Sequence, residues 1–347
     1  MNRLAEIIAA DAEQICKKVD LTEISEKVVI VTGASGLVGG YFLACLKHLS
    51  HSMHMKFRAA AVMQSEPHPY LIEFLDYNGA EVLRGDLTDY DFCRSLPQAD
   101  YIIHAAGYGQ PGRFMENPVK TIQLNTSATC ALFEKLREKG KFLFISTSEV
   151  YSGLTNPPHK ESEIGTTNTT HPRACYIEAK RCGEAICNAY RLKNVQAKSA
   201  RLALAYGPGT RPGDMRVINS FIQKALQGRI TLLDQGKAKR TYCYVSDAVE
   251  IMWNILLKGR ESVYNVGGFS KTTVGDLARK IGEYLNVPVI FPDGSESIIA
   301  GAPDDVFLDM AKAQNEFGKT EYVIFDDGLE RTIEWQKILY DNESLRG

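Results

Sequence analysis

Residues 27–40 read KVVIVTGASGLVGG, and this stretch decides the fold. Four consecutive apolar, β-branched residues, Val28 to Val31, predict a buried strand. Gly33, Gly36 and Gly39 follow at intervals of three, and the run YFLACLKHL then reads as a helix. A glycine pattern is weak evidence alone, but one that closes a strand and opens a helix is a much more specific sign of a dinucleotide loop. The glycines allow a tight turn, let the backbone approach a pyrophosphate and let the helix pack close to the strand. The first helical turn then offers unpaired amides to phosphate oxygens. Gly33, Ser35, Gly36, Leu37, Val38 and Gly39 are therefore candidate cofactor-binding residues, against the plainer reading that the glycines only shape a turn.

Apolar runs recur at 57–63 (FRAAAVM), 101–105 (YIIHA), 142–146 (FLFIS) and 197–203 (AKSARLA), with helical stretches expected over 121–138 and 176–192. Alternation of strands with helices predicts an α/β fold, a Rossmann-type doubly wound parallel sheet covered on both faces. After Tyr206 the elements shorten: a helix near 216–227, a strand at ITLL, a helix over 245–257, a strand at VYNV, and a helix over 274–285 capped by Thr273. The expected organisation is an N-terminal helical extension over 1–26 and a dinucleotide-binding domain over 27–205, to which 239–266 returns. A smaller mixed α/β substrate domain occupies most of 206–347. The segment 152–175, rich in Thr, Asn, Pro and Gly, is longer than a simple connection and is expected to cover a site.

Bulk properties narrow the function. The chain has 347 residues, 40 basic and 42 acidic, for a formal net charge of −2. No global field recruits nucleic acid or an anionic membrane. No apolar run reaches the ~18 residues of a membrane span, and the N-terminal sequence lacks a signal-peptide pattern. The eight cysteines are scattered without metal-ligand spacing, so no metal site is expected. Reduced thiols and a cytoplasmic location are the expectation.

The chemistry concentrates in Thr147, Ser148, Glu149, Tyr176 and Lys180. A tyrosine four residues before a lysine places both on one helix face. Free tyrosine ionises near pH ~10 and is a poor base at neutrality unless a neighbouring cation favours the phenolate. Tyr-x-x-x-Lys alone is common by chance; following a glycine loop and the stretch ISTSEVY, it describes an enzyme that oxidises an alcohol with a bound nicotinamide. Asp86, in GDLTD, is read either as an acceptor for an adenine amino group or as a plain turn or cap, with Leu87 beside it. Ala105 and Ala106, in HAAG, are small enough for the chain to pass a flat cofactor, and His104 is expected to be structural. The strand 57–63 ends in Met63, Gln64, Ser65 and Glu66 without a clear ribose-binding acid. NAD is the expected cofactor, with NADP left open.

Together these residues resemble the extended short-chain dehydrogenase/reductase group, the NAD-dependent epimerase/dehydratase family acting on nucleotide sugars, over about residues 27–335. STSEVY (146–151), PRACYIEAKR (172–181), GPGTRPGDMRVINSFIQKALQG (207–228) and KRTYCYVSD (239–247) are similar to UDP-glucuronate decarboxylases. The resemblance implies that Tyr176 takes the C4 hydroxyl proton of a hexose, Lys180 holds the nicotinamide ribose and lowers the tyrosine pKa, and Thr147 bonds the reacting oxygen. Glu149 fits proton transfer at C5, although a structural, salt-bridged carboxylate is the alternative. Ser148, Arg173, Arg211, Arg216 and Arg240 are the candidate substrate ligands. Arg216 and Arg240 are assigned to the diphosphate and Arg173 and Arg211 to a sugar carboxylate or hydroxyls, each against an ordinary solvated role. Decarboxylation, dehydration, epimerisation or 4-dehydrogenation, and a catalytically silent NAD-binding protein all stay open. Val306, Ala302 and Leu204 stand where relatives carry polar residues. The family likeness also implies a homodimer built on helices 121–138 and 176–192, with a nucleotide-diphosphate sugar as substrate.

Overall fold

The computed structural model describes residues 2–293 and 305–344. Strands β1 (Val28–Thr32), β2 (Arg58–Met63), β3 (Ala80–Arg84), β4 (Ala99–His104), β5 (Leu136–Thr147) and β6 (Gln196–Leu202) lie in the first part of the chain. Then come β7 (Leu204–Tyr206), β8 (Ile230–Thr231), β9 (Lys239–Tyr244), β10 (Val263–Val266), β11 (Ser270–Thr273), β12 (Val289–Ile290) and β13 (Asp305–Val306). Seven of them form one sheet in the order β10-β6-β5-β4-β1-β2-β3, and every pairing in it is parallel. This is the doubly wound architecture expected from the alternation of elements. The order reverses beside β1, so the strand ends there open a crevice at the glycine loop.

The sheet is buried on both faces because alternate side chains feed two separate cores. Val29 and Val31 face a cluster with Leu4, Ile8, Phe42, Val249 and Trp253. These come from helices Arg3–Lys18, Leu37–His51 and Val245–Lys258. Ile30 faces the other cluster with Ile102, Phe142, Leu124, Leu132 and Cys187. Trp253 packs edge-on against Phe42 at 4.7 Å between ring centroids. Burial of each such large apolar side chain contributes about 1.5–3 kcal/mol. A third cluster, with Ile218, Ile222, Leu277, Ile281 and Ile333, supports the C-terminal half. There β7, β9, β11 and β13 form a smaller sheet, and β8 pairs with β12.

The N-terminal helix packs on the body of this chain: Leu4, Ile8 and Ile15 are buried, and Asn2 caps it by accepting from the Leu4 amide. The helices of the C-terminal half are observed at Val217–Leu226, Val245–Lys258 and Val274–Leu285, the last capped by Thr273. The expected strand ITLL shortens to Ile230–Thr231.

The expected helix over 121–138 is corrected. Two short helices, Pro118–Asn125 and Ser127–Phe133, stand in its place, and β5 begins at Leu136. Thr126 leaves helical geometry (φ −119, ψ −82). The hydroxyls of Thr126 and Ser127 donate to the carbonyls of Ile122 and Gln123. Such back-bonding competes with the backbone ladder and bends helices. The other expected helix is observed at Ala174–Arg191.

Candidate active site

The glycine turn is built as its spacing demands. Gly33 has φ +63, and a Cβ there would come within 2.5 Å of the Ala105 carbonyl oxygen. Gly36 caps the helix Leu37–His51, and its amide donates to the Gly33 carbonyl at 2.9 Å. Gly39 lies so close to the Gly33 carbonyl that a Cβ would collide with it. Ser35 and Val38 are half-buried, Leu37 is buried and Gly36 is exposed. The exposed N-terminus can therefore meet a phosphate while the turn stays packed beneath it.

His104 is structural. Its ring meets Thr32 Oγ1 at 2.8 Å and the Leu124 carbonyl at 2.9 Å. Burial pushes its pKa down to about 3, so it is neutral. Thr32 also accepts from the Ala106 amide, which fixes Ala105–Ala106 against the turn. Asp86 is committed to local partners: it accepts from the Thr88 amide and hydroxyl, from Gln64, and from Lys120 at 2.5 Å. Burial would raise its pKa, but Lys120 and Thr88 outweigh that and hold it low. Leu87 beside it is buried.

The reacting groups come together at the end of β5 and the start of helix Ala174–Arg191. Thr147 closes β5, and its hydroxyl accepts from the Glu149 amide. Ser148 is buried in the turn Ser148–Tyr151. Tyr176 is buried beside Thr147 and stacked on Phe114 at 4.5 Å. Burial, then the Glu149 charge, pushes its pKa up to about 12, against the Thr147 hydroxyl and the charges of Arg173 and Arg216. Glu149 accepts two hydrogen bonds from Arg173, one from Nε at 2.9 Å. Burial raises its pKa, partly offset by Arg173, His171 and Arg240. Beneath them, buried Glu184 joins Ser146 of β5 to Arg201 of β6 and locks the two strands to the helix.

Lys180 is tied to the end of β5. Its Nζ donates to the Ile145 carbonyl at 2.6 Å and lies 4.8 Å from the Phe144 ring centroid and 5.9 Å from that of Tyr176. Burial brings its pKa down to about 7. The hydrogen bond that Lys180 makes among the described residues therefore goes to the strand backbone and not to the phenol. The charges that act on the tyrosine are Glu149, Arg173 and Arg216.

Three arginines reach this side of the site. Arg173 has its planar head over Phe114. Arg216 is held by a two-pronged bond to Asp214. Arg240 lies on β9 opposite Val306 of β13. Arg211 is different: it donates to the Ser35 carbonyl at 3.1 Å and the Ser65 hydroxyl at 2.8 Å. The structure puts it at the glycine turn, away from the sugar-binding role expected of it. Leu204, on β7, is 36% exposed, an apolar surface at a place where the resemblance implied a polar residue. Ala302 lies outside the described residues. The segment 152–173 has neither helix nor strand. It is fastened by Arg181 to Gly165 and by Arg201 to Glu161 and Glu163.

Sequence reasoning missed Asn125. Its buried Oδ1 has no hydrogen-bond partner among the described residues, while its amide donates to Thr121. A Cβ added at Gly107 would meet nothing closer than Lys180 Nζ at 3.8 Å and Asn125 Oδ1 at 4.0 Å. An unpartnered acceptor and an amine thus both lie next to Gly107, the last residue of HAAG. A glycine turn followed by these small residues, with such groups beside them, fits a nicotinamide dinucleotide. Phe114, which orients Tyr176, was also missed, since a lone aromatic in a short helix carries no sequence signal.

A family model described as the NAD dependent epimerase/dehydratase family matches residues 29–267. UDP-glucuronic acid decarboxylase 1 of Xenopus tropicalis is 29% identical over 324 residues, 91% of this chain and 73% of that protein. UDP-glucuronic acid decarboxylase 6 of Arabidopsis thaliana is 29% identical, over 87% of this chain and 86% of that protein. A dTDP-glucose 4,6-dehydratase from Streptomyces venezuelae, solved with NAD, superposes with a TM-score of 0.75 at 22% identity, over 90% of this chain and 97% of that one. A UDP-glucuronic acid 4-epimerase from Bacillus cereus, solved with UDP-glucuronic acid and NAD, gives 0.74 at 21% identity, over 90% and 100%. The two superpositions show the shared fold.

Proposed function

The chain belongs to the NAD dependent epimerase/dehydratase family, and from that membership we propose an enzyme that oxidises a nucleotide-bound sugar at C4 and then removes carbon dioxide or water from the 4-keto sugar. The single observation that carries the reading is the convergence of Thr147, Tyr176, Glu149 and Arg173 in one buried cluster. Gly33, Gly36, Gly39, Asn125 and Lys180 would hold NAD. When bound, NAD supplies the hydride acceptor for C4 and returns the hydride afterwards.

Tyr176 takes the C4 hydroxyl proton, and Thr147 bonds the same oxygen. The cationic surroundings of Arg173 and Arg216 favour the phenolate, and the buried Glu149 carboxylate opposes it. The C4 ketone is β to a carboxylate at C5 in a hexuronic acid. Breaking the bond to that carboxylate releases carbon dioxide and leaves the electron pair as an enolate, which a proton quenches at C5. Glu149 is assigned the delivery or removal of that proton. Arg173, now paired with Glu149, is the fork that meets the sugar carboxylate, and Ser148 adds a hydroxyl. Arg216 and Arg240 serve the diphosphate.

Decarboxylation is favoured by the relatives named UDP-glucuronic acid decarboxylase. Val306 supports dehydration of a neutral hexose as the second reading, because it is apolar where decarboxylases carry an arginine. The purified protein is given UDP-glucuronic acid, UDP-glucose and GDP-mannose, and the products are weighed by mass spectrometry. Loss of carbon dioxide supports the first reading and loss of water the second. Unchanged mass with altered stereochemistry means epimerisation, and no turnover with any sugar overturns the proposal.

The described helices include none long and apolar enough to cross a membrane. All eight cysteines are free thiols, which supports a cytoplasmic protein. Val119 and Ile122 are 67% and 43% exposed on helix Pro118–Asn125, beside helix Ala174–Arg191. This apolar strip supports a homodimer through those helices, with light scattering as its test.

A further inference from the structure

The adenosine end of the nucleotide crevice is built from unexpected parts. β2 ends at Met63, followed by exposed Gln64, Ser65 and Glu66. A sheet of this type selects NAD with an acid that binds the ribose 2′-hydroxyl there, whereas a 2′-phosphate calls for an arginine nearby. Glu66 is turned away into an ion pair with Arg84, the last residue of β3. Asp86 is taken by Thr88, Lys120 and Gln64. Both carboxylates already have cationic partners.

A cation occupies the place instead. Arg211 crosses from the segment after β7 and spans the two loops that frame the ribose. Its Nε donates to the Ser35 carbonyl of the glycine turn and its Nη1 to the Ser65 hydroxyl. Its Nη2 is buried and has no hydrogen-bond partner among the described residues. Tyr70 holds the segment in place by donating to the Gly209 carbonyl at 3.0 Å. A guanidinium bonded to a serine hydroxyl, with a carboxamide next in the chain, suits phosphate oxygens better than a ribose diol.

We propose that Arg211, with Ser65 and Gln64, lets this site accept a 2′-phosphorylated dinucleotide, so that the chain binds NADP as well as NAD. The inference rests on the nicotinamide-binding reading above and adds a specificity-determining residue to it.

Competition binding on the full-length protein tests it, with bound NADH fluorescence as the readout and NAD or NADP as the displacing ligand. Wild-type protein should bind NADP within about tenfold of NAD. Arg211→Met should weaken NADP by about 10- to 100-fold, the scale of a charged hydrogen bond, and change NAD only a few-fold. Arg211→Lys should restore part of the loss. Ser65→Asp should expel NADP while keeping NAD, which separates selection from damage to the fold. If NADP binds more than a hundredfold weaker than NAD, or Arg211→Met weakens both alike, this proposal falls and the nicotinamide reading stands. If neither dinucleotide binds, both fall.

Discussion

Each reacting side chain has a proton affinity set first by burial and then by charged neighbours. Tyr176 is held at about 12 by burial and by Glu149. Replacing Glu149 with Gln removes the negative charge, so the Tyr176 pKa must fall. The pH profile of reduced-cofactor formation should then move to lower pH while the later carbon-bond step stops. An unmoved profile would remove Glu149 from the tyrosine's environment. Tyr176→Phe should lower turnover by about 10²–10⁴-fold with dinucleotide affinity little changed; retention of wild-type turnover would exclude it as the proton acceptor. Burial brings the Lys180 pKa from its ordinary 10.5 down to about 7. The native state therefore binds fewer protons than the unfolded chain between those values. Stability from this group rises with pH across that window and is lost as pH falls through about 7. Lys180→Met should thus raise the Tm of dinucleotide-free protein at pH 7 while abolishing turnover, a trade typical of functional sites. A lower Tm would contradict the burial penalty.

Elements position these groups through contacts that tolerate little change. The turn between β1 and the helix Leu37–His51 is tight because Gly39 meets the Gly33 carbonyl without a Cβ between them. Gly39→Ala should cost about 1–3 kcal/mol, as overpacking does, and weaken dinucleotide binding, both read by thermal denaturation with and without NAD. A variant as stable and as tightly bound as wild type would show that the helix can move away freely. The break at Thr126 is the counter-example, where hydroxyls inside an apparently helical run took their own carbonyls and divided the element. That division places Asn125 at a helix end.

At the scale of the whole molecule, one buried carboxylate ties the two terminal helices to the helix after the glycine turn and to the smaller sheet. Asp11 accepts from Tyr41, Tyr244 and Arg331, each at 2.8 Å. Those residues belong to the helix after the glycine turn, the end of β9 and the C-terminal helix. Asp11→Ala strands three donors and should cost about 3–5 kcal/mol; Asp11→Asn, which keeps an acceptor, should cost less. Urea denaturation measures both, and equal losses would mean that packing rather than the acceptor matters.

Local pattern carried the parallel sheet, the glycine turn, the Thr273 cap and the placing of Tyr176 on a helix. Period, strand length and turn chemistry are properties of neighbouring residues, so they can be read in a line. Those same patterns could not disclose that Arg211 crosses to Ser35 and Ser65, that Lys180 binds Ile145, or that Glu149 is clamped by Arg173. Such pairings join residues distant in sequence, and only the folded packing decides which long side chain reaches which partner.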